Sequence, residues 1–175
     1  MRKSVVVALA VLVMSAATGA ALEVAIEAGY QYQLGIITDF SALEQLQGHT
    51  AHVDLRAWPY PLWLGIGLSR AIVGPFGSTV SFLNAVLTAD YWLLDFPLGS
   101  LPLSMHVGAG VYATVPTFGL GIRGPVGLRW APIPSDKGFE VFLEVVPSVG
   151  GYLAPPLGFV AGASAGLGIR YLFGR

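Results

Sequence analysis

The sequence has no cysteine and few charged residues, and both absences restrict what the chain can be. Only 11% of its 175 residues are charged, against about 25% in typical soluble domains, so too few charges remain to cover a water-exposed surface. Without cysteine the chain has neither a disulfide framework nor a lipoprotein-type anchor. Removal of Arg2 and Lys3 leaves seven of nine basic residues against ten acidic ones, a net charge of about three negative, which predicts no nucleic-acid partner.

The N-terminal apolar segment, Val5 to Val13, is nine residues long, whereas a transmembrane helix needs about 20. It follows Arg2 and Lys3 and precedes the small residues Thr18 to Ala21. This order is typical of a secretory signal peptide. We therefore predict a signal peptide over residues 1–20 and one mature domain over residues 21–175.

After this segment the chain is rich in glycine, with 23 residues, and in short alternating segments. From Leu22 to Leu34 the apolar side chains fall on one face of a strand, while Glu23, Glu27 and Gln31 fall on the other. The same alternation recurs along the chain, separated by Gly- and Pro-containing turns and by one longer polar segment, Gly35 to Gly48, which we predict to be a loop. The predicted strands are 22–34, 50–58, 62–71, 81–92, 101–114, 118–131, 139–150 and 158–173.

These eight strands of about 9 to 16 residues have the even number and the length of membrane-spanning β-strands. Charges that share a strand keep one parity, as Arg123 and Arg129 do, and most of the strand glycines lie on that face. A crowded barrel interior suits glycine, whereas a continuous apolar face suits lipid. A helical membrane protein would need longer apolar runs, and a lipocalin-like soluble barrel would need a Lys- and Glu-rich outside. We predict an all-β, eight-stranded, antiparallel, up-and-down transmembrane β-barrel.

Aromatic residues on the apolar face predict two interfacial girdles. The first girdle would contain Tyr30, Tyr32 and Phe159, and the second Tyr91, Trp130, Phe139, Tyr171 and Phe173.

Arg70 is the one charge with outward parity, and its place at the end of a predicted strand suits contact with lipid phosphate.

Eight strands leave an interior that side chains roughly fill, so we predict a charged plug in the lumen. Antiparallel register sums suggest pairs of Arg123 with Glu144, Arg129 with Glu140 and Glu27 with Arg56, and barrel closure would bring Arg170 beside Glu23. The predicted lumen ion-pair network consists of Glu23, Glu27, Asp54, Arg56, Arg123, Arg129, Glu140, Glu144 and Arg170.

Two weaker signals point to chemistry. A turn near Gly99 would place Asp90 opposite Ser104 or His106, so that an acid, a hydroxyl and a base become neighbours, the set that a lipid-A-modifying barrel enzyme would need. A polar lumen network explains the same residues, and we predict no enzyme. His49 and His52 lack a third ligand, so we predict no metal site and no cofactor.

The whole mature length resembles the OmpA- and OmpX-type small outer-membrane barrels. The closing segment GLGIRYLFGR is similar to their terminal assembly signal, although it continues to Gly174 and Arg175 beyond the last aromatic residue. FEVFLEVVPSVG, beside it, is similar to a group of uncharacterised bacterial barrels. The resemblance implies location in the outer membrane of a diderm bacterium, contact with lipid including lipopolysaccharide, and handling by the barrel-assembly machinery.

We expect a monomer with a structural or surface-interaction role, acting through the Gly35 to Gly48 loop. A lipid-A-modifying enzyme and a narrow ion channel are the alternatives.

Overall fold

The computed structural model describes residues 24–38, 43–57, 61–74, 80–133, 135, 138–152 and 158–173. The predicted signal peptide and Glu23 lie outside the described residues. Within the described part of the chain the structure has nine strands. They are β1 Val24–Thr38, β2 Leu43–Ala57, β3 Leu62–Val73, β4 Val80–Pro97, β5 Leu103–Val115, β6 Gly119–Arg123, β7 Val126–Trp130, β8 Phe139–Tyr152 and β9 Gly158–Phe173.

The strands form one closed antiparallel sheet. Consecutive strands pair from β1 to β5, β8 pairs with β9, and β9 pairs with β1 to close the ring. Strands β6 and β7 both lie between β5 and β8, so they occupy one position, and the ring has eight positions. The predicted eight-stranded up-and-down barrel is confirmed.

The predicted strand 118–131 is divided at Gly124 and Pro125, because proline has no amide hydrogen to donate to the ladder. Backbone hydrogen bonds still hold the break in place on both sides. Gly108 N donates to the carbonyl of Pro125 at 2.7 Å, and Gly124 N donates to the carbonyl of Pro147 at 2.9 Å. The wall of the barrel therefore continues across the interruption.

The outer face of the barrel is an apolar band. Leu68 of β3 is 62% exposed and Leu167 of β9 is 63% exposed, so the exposed apolar face extends over strands that are not neighbours. Large exposed aliphatic side chains occur in all nine strands, whereas most of the charged strand residues point inward. Such a band cannot face water without aggregation, and lipid is the solvent that it fits.

The predicted loop from Gly35 to Gly48 is wrong. Strands β1 and β2 run beyond their predicted ends and pair up to Thr38 and Leu43, with Gly35 opposite Leu46. The polar residues of this segment suggest a loop, but polar side chains are compatible with a paired strand, and Gln45 and Gln47 lie opposite Ile36 and Leu34 in the ladder. Residues 39–42, which connect the two strands, lie outside the described residues.

One predicted aromatic girdle is also wrong. Phe159 pairs with Thr38 in the β1/β9 ladder, whereas Tyr30 pairs with Leu167, eight positions further along β9. Because of the unexpected length of β1, its tyrosines lie well before its end and do not form one ring with Phe159. In the second predicted group, Tyr91, Trp130, Tyr171 and Phe173 are exposed.

The interior has two apolar clusters, one towards each end of the barrel. Ala25, Trp63, Trp92 and Leu172 form the cluster at the end where the described chain begins and finishes, which we call the terminal end. At the opposite end, the loop end, the second cluster contains Leu46, Ala71, Val73 and Val160. Charged and polar side chains occupy the lumen between these clusters.

No helix in the described residues has the length and apolar character needed to cross a membrane.

Candidate functional site

The charged residues of the lumen are enclosed by the barrel wall. Arg123 has a side chain that is 13% exposed, and the other eight are buried. Each reaches the lumen because its strand parity is opposite to that of the apolar band. The eight buried residues are Glu27, Asp54, Arg56, Asp90, Arg129, Glu140, Glu144 and Arg170.

Arg170 lies at the centre of the terminal half of the lumen and is 2% exposed. Its guanidinium carbon is 4.5 Å from the ring centroid of Trp63 and 4.6 Å from that of Trp92. Its Nε donates to Glu27 Oε2 at 2.8 Å, and its Nη2 contacts the same oxygen. Arg170 therefore combines two cation–π contacts with an ion pair, out of contact with water.

A second buried arginine, Arg129, joins the ion pairs of Arg170 through Glu140. Arg129 Nη1 lies 3.5 Å from Glu140 Oε2, the oxygen that also accepts from Arg170 Nη1 at 3.3 Å. Arg129 also pairs with Asp95 and lies 4.9 Å from the ring centroid of Trp92. The following residues are here called the plug: Glu27, Arg56, Trp63, Trp92, Arg129, Glu140, Phe142 and Arg170.

His106 packs against the plug and has no exposed surface. Its ring stacks on Trp92 at a centroid distance of 4.1 Å and an interplanar angle of 11°. Its Nε2 lies 2.9 Å from Glu144 Oε1, and Gln31 donates to Glu144 Oε2 at 3.3 Å. Both oxygens of the Glu144 carboxylate are therefore satisfied inside the lumen.

His52 lies beside the plug, between two carboxylates. Its Nε2 is 3.3 Å from Asp54 Oδ2 and 3.7 Å from Glu27 Oε1. His52 and Asp54 are two residues apart on β2, and the β1/β2 register places Glu27 directly opposite Asp54. One ligand atom from each of the three residues lies within 4.8 Å of the others.

A cavity of about 90 Å³ lies between the plug and the loop end. We call this cavity the polar chamber. Half of its lining residues carry hydroxyl, amide or phenol groups, and His52, Asp54 and Arg123 lie towards the plug. Among its polar lining residues are Gln31, Thr50, Asn84, Thr88, Tyr112 and Ser164.

The pairing of charges differs from the prediction in three places. Glu27 lies opposite Asp54 and binds Arg170, whereas the prediction joined Glu27 to Arg56. The β1/β9 register places Arg170 opposite Glu27, four positions from Glu23. Arg123 Nε lies 3.1 Å from Asp90 Oδ1, because Asp90 on β4 and Arg123 on β6 both lie opposite Gly110 of the intervening strand β5.

The proposed set of Asp90, Ser104 and His106 is not brought together. In the β4/β5 ladder Asp90 pairs with Gly110, His106 with Asp95 and Ser104 with Pro97. The hairpin turns at Gly99, which has a φ of +66°, close to its predicted position. However, β4 continues to Pro97 and pairs with β5 in a register that places Gly110, and not Ser104 or His106, opposite Asp90. His106 uses its Nε2 on Glu144, so the structure gives no acid–base–hydroxyl arrangement at these residues.

The sequence prediction missed several residues that shape the lumen. Trp63 and Trp92 share the parity of the charged face, and that parity was the available signal for an aromatic plug. His52 was considered only with His49, but His49 points outward and contacts Tyr30 through its Nδ1. Asp95 lies beyond the end of the predicted strand 81–92, whereas β4 continues to Pro97 and Asp95 pairs with Arg129.

Comparison with solved structures addresses the fold. The chain is similar to the crystal structure of Neisserial surface protein A, with a TM-score of 0.55 and 14% identity over 85% of this chain and 96% of that one. The fold is that of a small outer-membrane β-barrel. No protein-family model and no curated protein matches the chain.

Two further structures from Pseudomonas aeruginosa match this barrel. OprG has a TM-score of 0.48 and 10% identity over 87% of this chain and 96% of that one. The N-terminal barrel domain of OprF has a TM-score of 0.43 and 18% identity over 86% and 97%. A shared barrel fold leaves activity open, so function has to be argued from the lumen.

Proposed function

We propose that this barrel is a non-enzymatic integral protein of the outer membrane of a diderm bacterium, exported by the signal peptide at residues 1–20, with a lumen closed to diffusion. Its role is structural within the membrane or at the cell surface. Outer-membrane lipid, including lipopolysaccharide, surrounds the apolar band, and the barrel-assembly machinery inserts the chain. The barrel is a monomer.

The position of Arg170 is the observation that carries this proposal. Its guanidinium packs against the adjoining rings of Trp63 and Trp92, and the ring centroid of Phe142 lies 5.1 Å away. Glu27 and Glu140 neutralise the arginine from two sides. An ion moving through this half of the barrel would have to displace a guanidinium from both its carboxylate and its aromatic partners, which favours a closed lumen.

The register of β4 and β5 argues against the lipid-modifying alternative. An acyl-transfer or hydrolytic site needs a nucleophile and a base within hydrogen-bond reach of each other. Asp90 lies opposite Gly110, four ladder positions from the partner of His106. The shortened connection between β1 and β2 also removes the long loop that the surface-interaction hypothesis relied on, which gives more weight to a structural role.

Two measurements test the proposal. The purified protein, reconstituted in planar bilayers, is expected to give no sustained conductance, and a stable ohmic current would overturn the closed-lumen claim. Mass spectrometry of lipid A from cells with and without the protein is expected to show identical species. A change in acyl chains or phosphates that depends on the protein would establish an enzyme instead.

A further inference from the structure

We propose that Glu27, His52 and Asp54 form a binding site for one first-row divalent cation, such as Zn²⁺, inside the lumen between the plug and the polar chamber. The three residues lie on adjacent strands β1 and β2, so the ladder itself fixes their spacing. This inference is independent of the structural role proposed above.

Each carboxylate has one oxygen bound by a protein donor and the other directed at His52. Glu27 Oε2 accepts from Arg170, while Glu27 Oε1 lies 3.7 Å from His52 Nε2. Asp54 Oδ1 accepts from Thr88 Oγ1 at 3.4 Å, while Asp54 Oδ2 lies 3.3 Å from the same nitrogen. The donors on Oε2 and Oδ1 orient the two remaining oxygens. In metal sites, groups that hydrogen-bond to a ligand commonly orient it in this way.

The separations fit a metal better than they fit a hydrogen-bonded histidine. A nitrogen and an oxygen that each lie about 2.0–2.1 Å from a tetrahedral Zn²⁺ are roughly 3.3 Å apart. The distances of 3.3 and 3.7 Å from His52 Nε2 to the two carboxylate oxygens are close to that edge. Both distances are longer than the range of about 2.7–3.2 Å that is typical of an N–H···O hydrogen bond.

The local charge also favours a divalent cation. A void of about 10 Å³ beside these residues, close to the volume that admits one water-sized sphere, is lined by four carboxylates and two guanidiniums. Counted as formal charges, with histidine neutral, these groups carry an excess of two negative charges around the void. The acidic groups are Glu27, Asp54, Asp90 and Glu144, and the basic groups are Arg123 and Arg170.

The site can be reached from the polar chamber. His52 and Asp54 line both the chamber and the smaller void, so a hydrated cation entering from the chamber would meet these two ligands first. Water in the chamber can complete the coordination of a cation held by one histidine and two carboxylates. That ligand set suits Zn²⁺ and related first-row ions better than Ca²⁺, which prefers oxygen ligands alone.

Calorimetric titration of the untagged, chelator-treated full-length barrel in detergent with ZnCl₂ tests the site. Wild type is expected to bind one equivalent, and His52→Ala is expected to weaken binding at least about tenfold, as loss of a ligand should. His49→Ala is the matched control, because His49 lies on the outer face of the same strand. It is expected to bind Zn²⁺ as wild type does.

The fold of each variant is checked by heat-modifiable gel mobility, and Asp54→Asn carries the test by the same criterion if His52→Ala does not fold. Retention of wild-type affinity by the folded variant would overturn the proposal. So would a wild-type protein that binds no Zn²⁺, or an equal loss of affinity in His49→Ala.

Discussion

Gly65 lies directly opposite Asp54 in the β2/β3 ladder, and a methyl group at Gly65 would overlap the Asp54 carboxylate. The same arrangement joins Gly110 to Asp90 and Gly127 to His106. Each buried polar side chain in these pairs leans over a neighbouring strand position that has no side chain. The lumen of this narrow barrel is therefore packed by polar residues lying over glycines.

Gly65→Ala is expected to destabilise the barrel by about 1–3 kcal/mol, because the added methyl group displaces Asp54 and its contact with Thr88. Gly124→Ala is the matched control, since a Cβ there would meet its nearest atoms at 3.8 and 3.9 Å, an ordinary contact. Urea unfolding in lipid vesicles, followed by tryptophan fluorescence, measures both. Equal effects of the two substitutions would contradict this packing account.

Arg170→Ala is expected to cost about 3–5 kcal/mol, because it leaves Glu27 and Glu140 as buried charges without their shared arginine. Arg70→Ala, which removes an exposed arginine on the outer face, is expected to change the free energy of unfolding by no more than about 0.5 kcal/mol. The same urea titration compares them. A stable Arg170→Ala barrel would show that water enters this half of the lumen and solvates the two carboxylates.

How much of this molecule could be predicted from its sequence depends on how far each feature extends along the chain. Strand parity is local, because side chains alternate with a period of two, and it placed residues such as Glu27 and Leu68 on their correct faces. Register is not local. A turn near Gly99 was compatible with several ladders, and in the ladder that forms, Asp90 pairs with Gly110, four residues from His106.

The group of Glu27, His52 and Asp54 shows the same limit. His52 and Asp54 are close in sequence, but Glu27 joins them only through the β1/β2 ladder, whose register depends on where the first hairpin turns. The polar segment from Gly35 to Gly48 concealed that turn. Trp63 and Trp92 have the parity of the charged face, which the sequence alone indicates, yet their contact with Arg170 requires the closed barrel.

His106 and Glu144 are expected to be energetically coupled. His106→Phe retains a ring beside Trp92 but leaves Glu144 Oε1 without its imidazole partner, so it should destabilise the barrel by about 1–3 kcal/mol. Glu144→Gln should cost less in the His106→Phe background than in wild type, because the neutral amide no longer leaves a buried charge. Double-mutant analysis of unfolding free energies measures the coupling, and strictly additive effects would mean that the 2.9 Å contact contributes nothing.

Opening the plug is expected to open the lumen. Trp63 and Trp92 pack against each other at a centroid distance of 5.2 Å, and both rings contact the guanidinium of Arg170. Replacing both with alanine therefore removes the aromatic surface against which the guanidinium packs. Trp63→Ala/Trp92→Ala should therefore fold with reduced stability, at a cost of roughly 3–5 kcal/mol for each ring, and conduct ions in planar bilayers where wild type is silent. Trp130→Ala is the control, because Trp130 is 49% exposed on the outer face and should leave the bilayer silent. A folded double variant that still does not conduct would show that the remaining guanidiniums and carboxylates close the lumen without the two rings, and would move the barrier from the aromatic pair to the ion pairs of Arg129, Glu140 and Arg170.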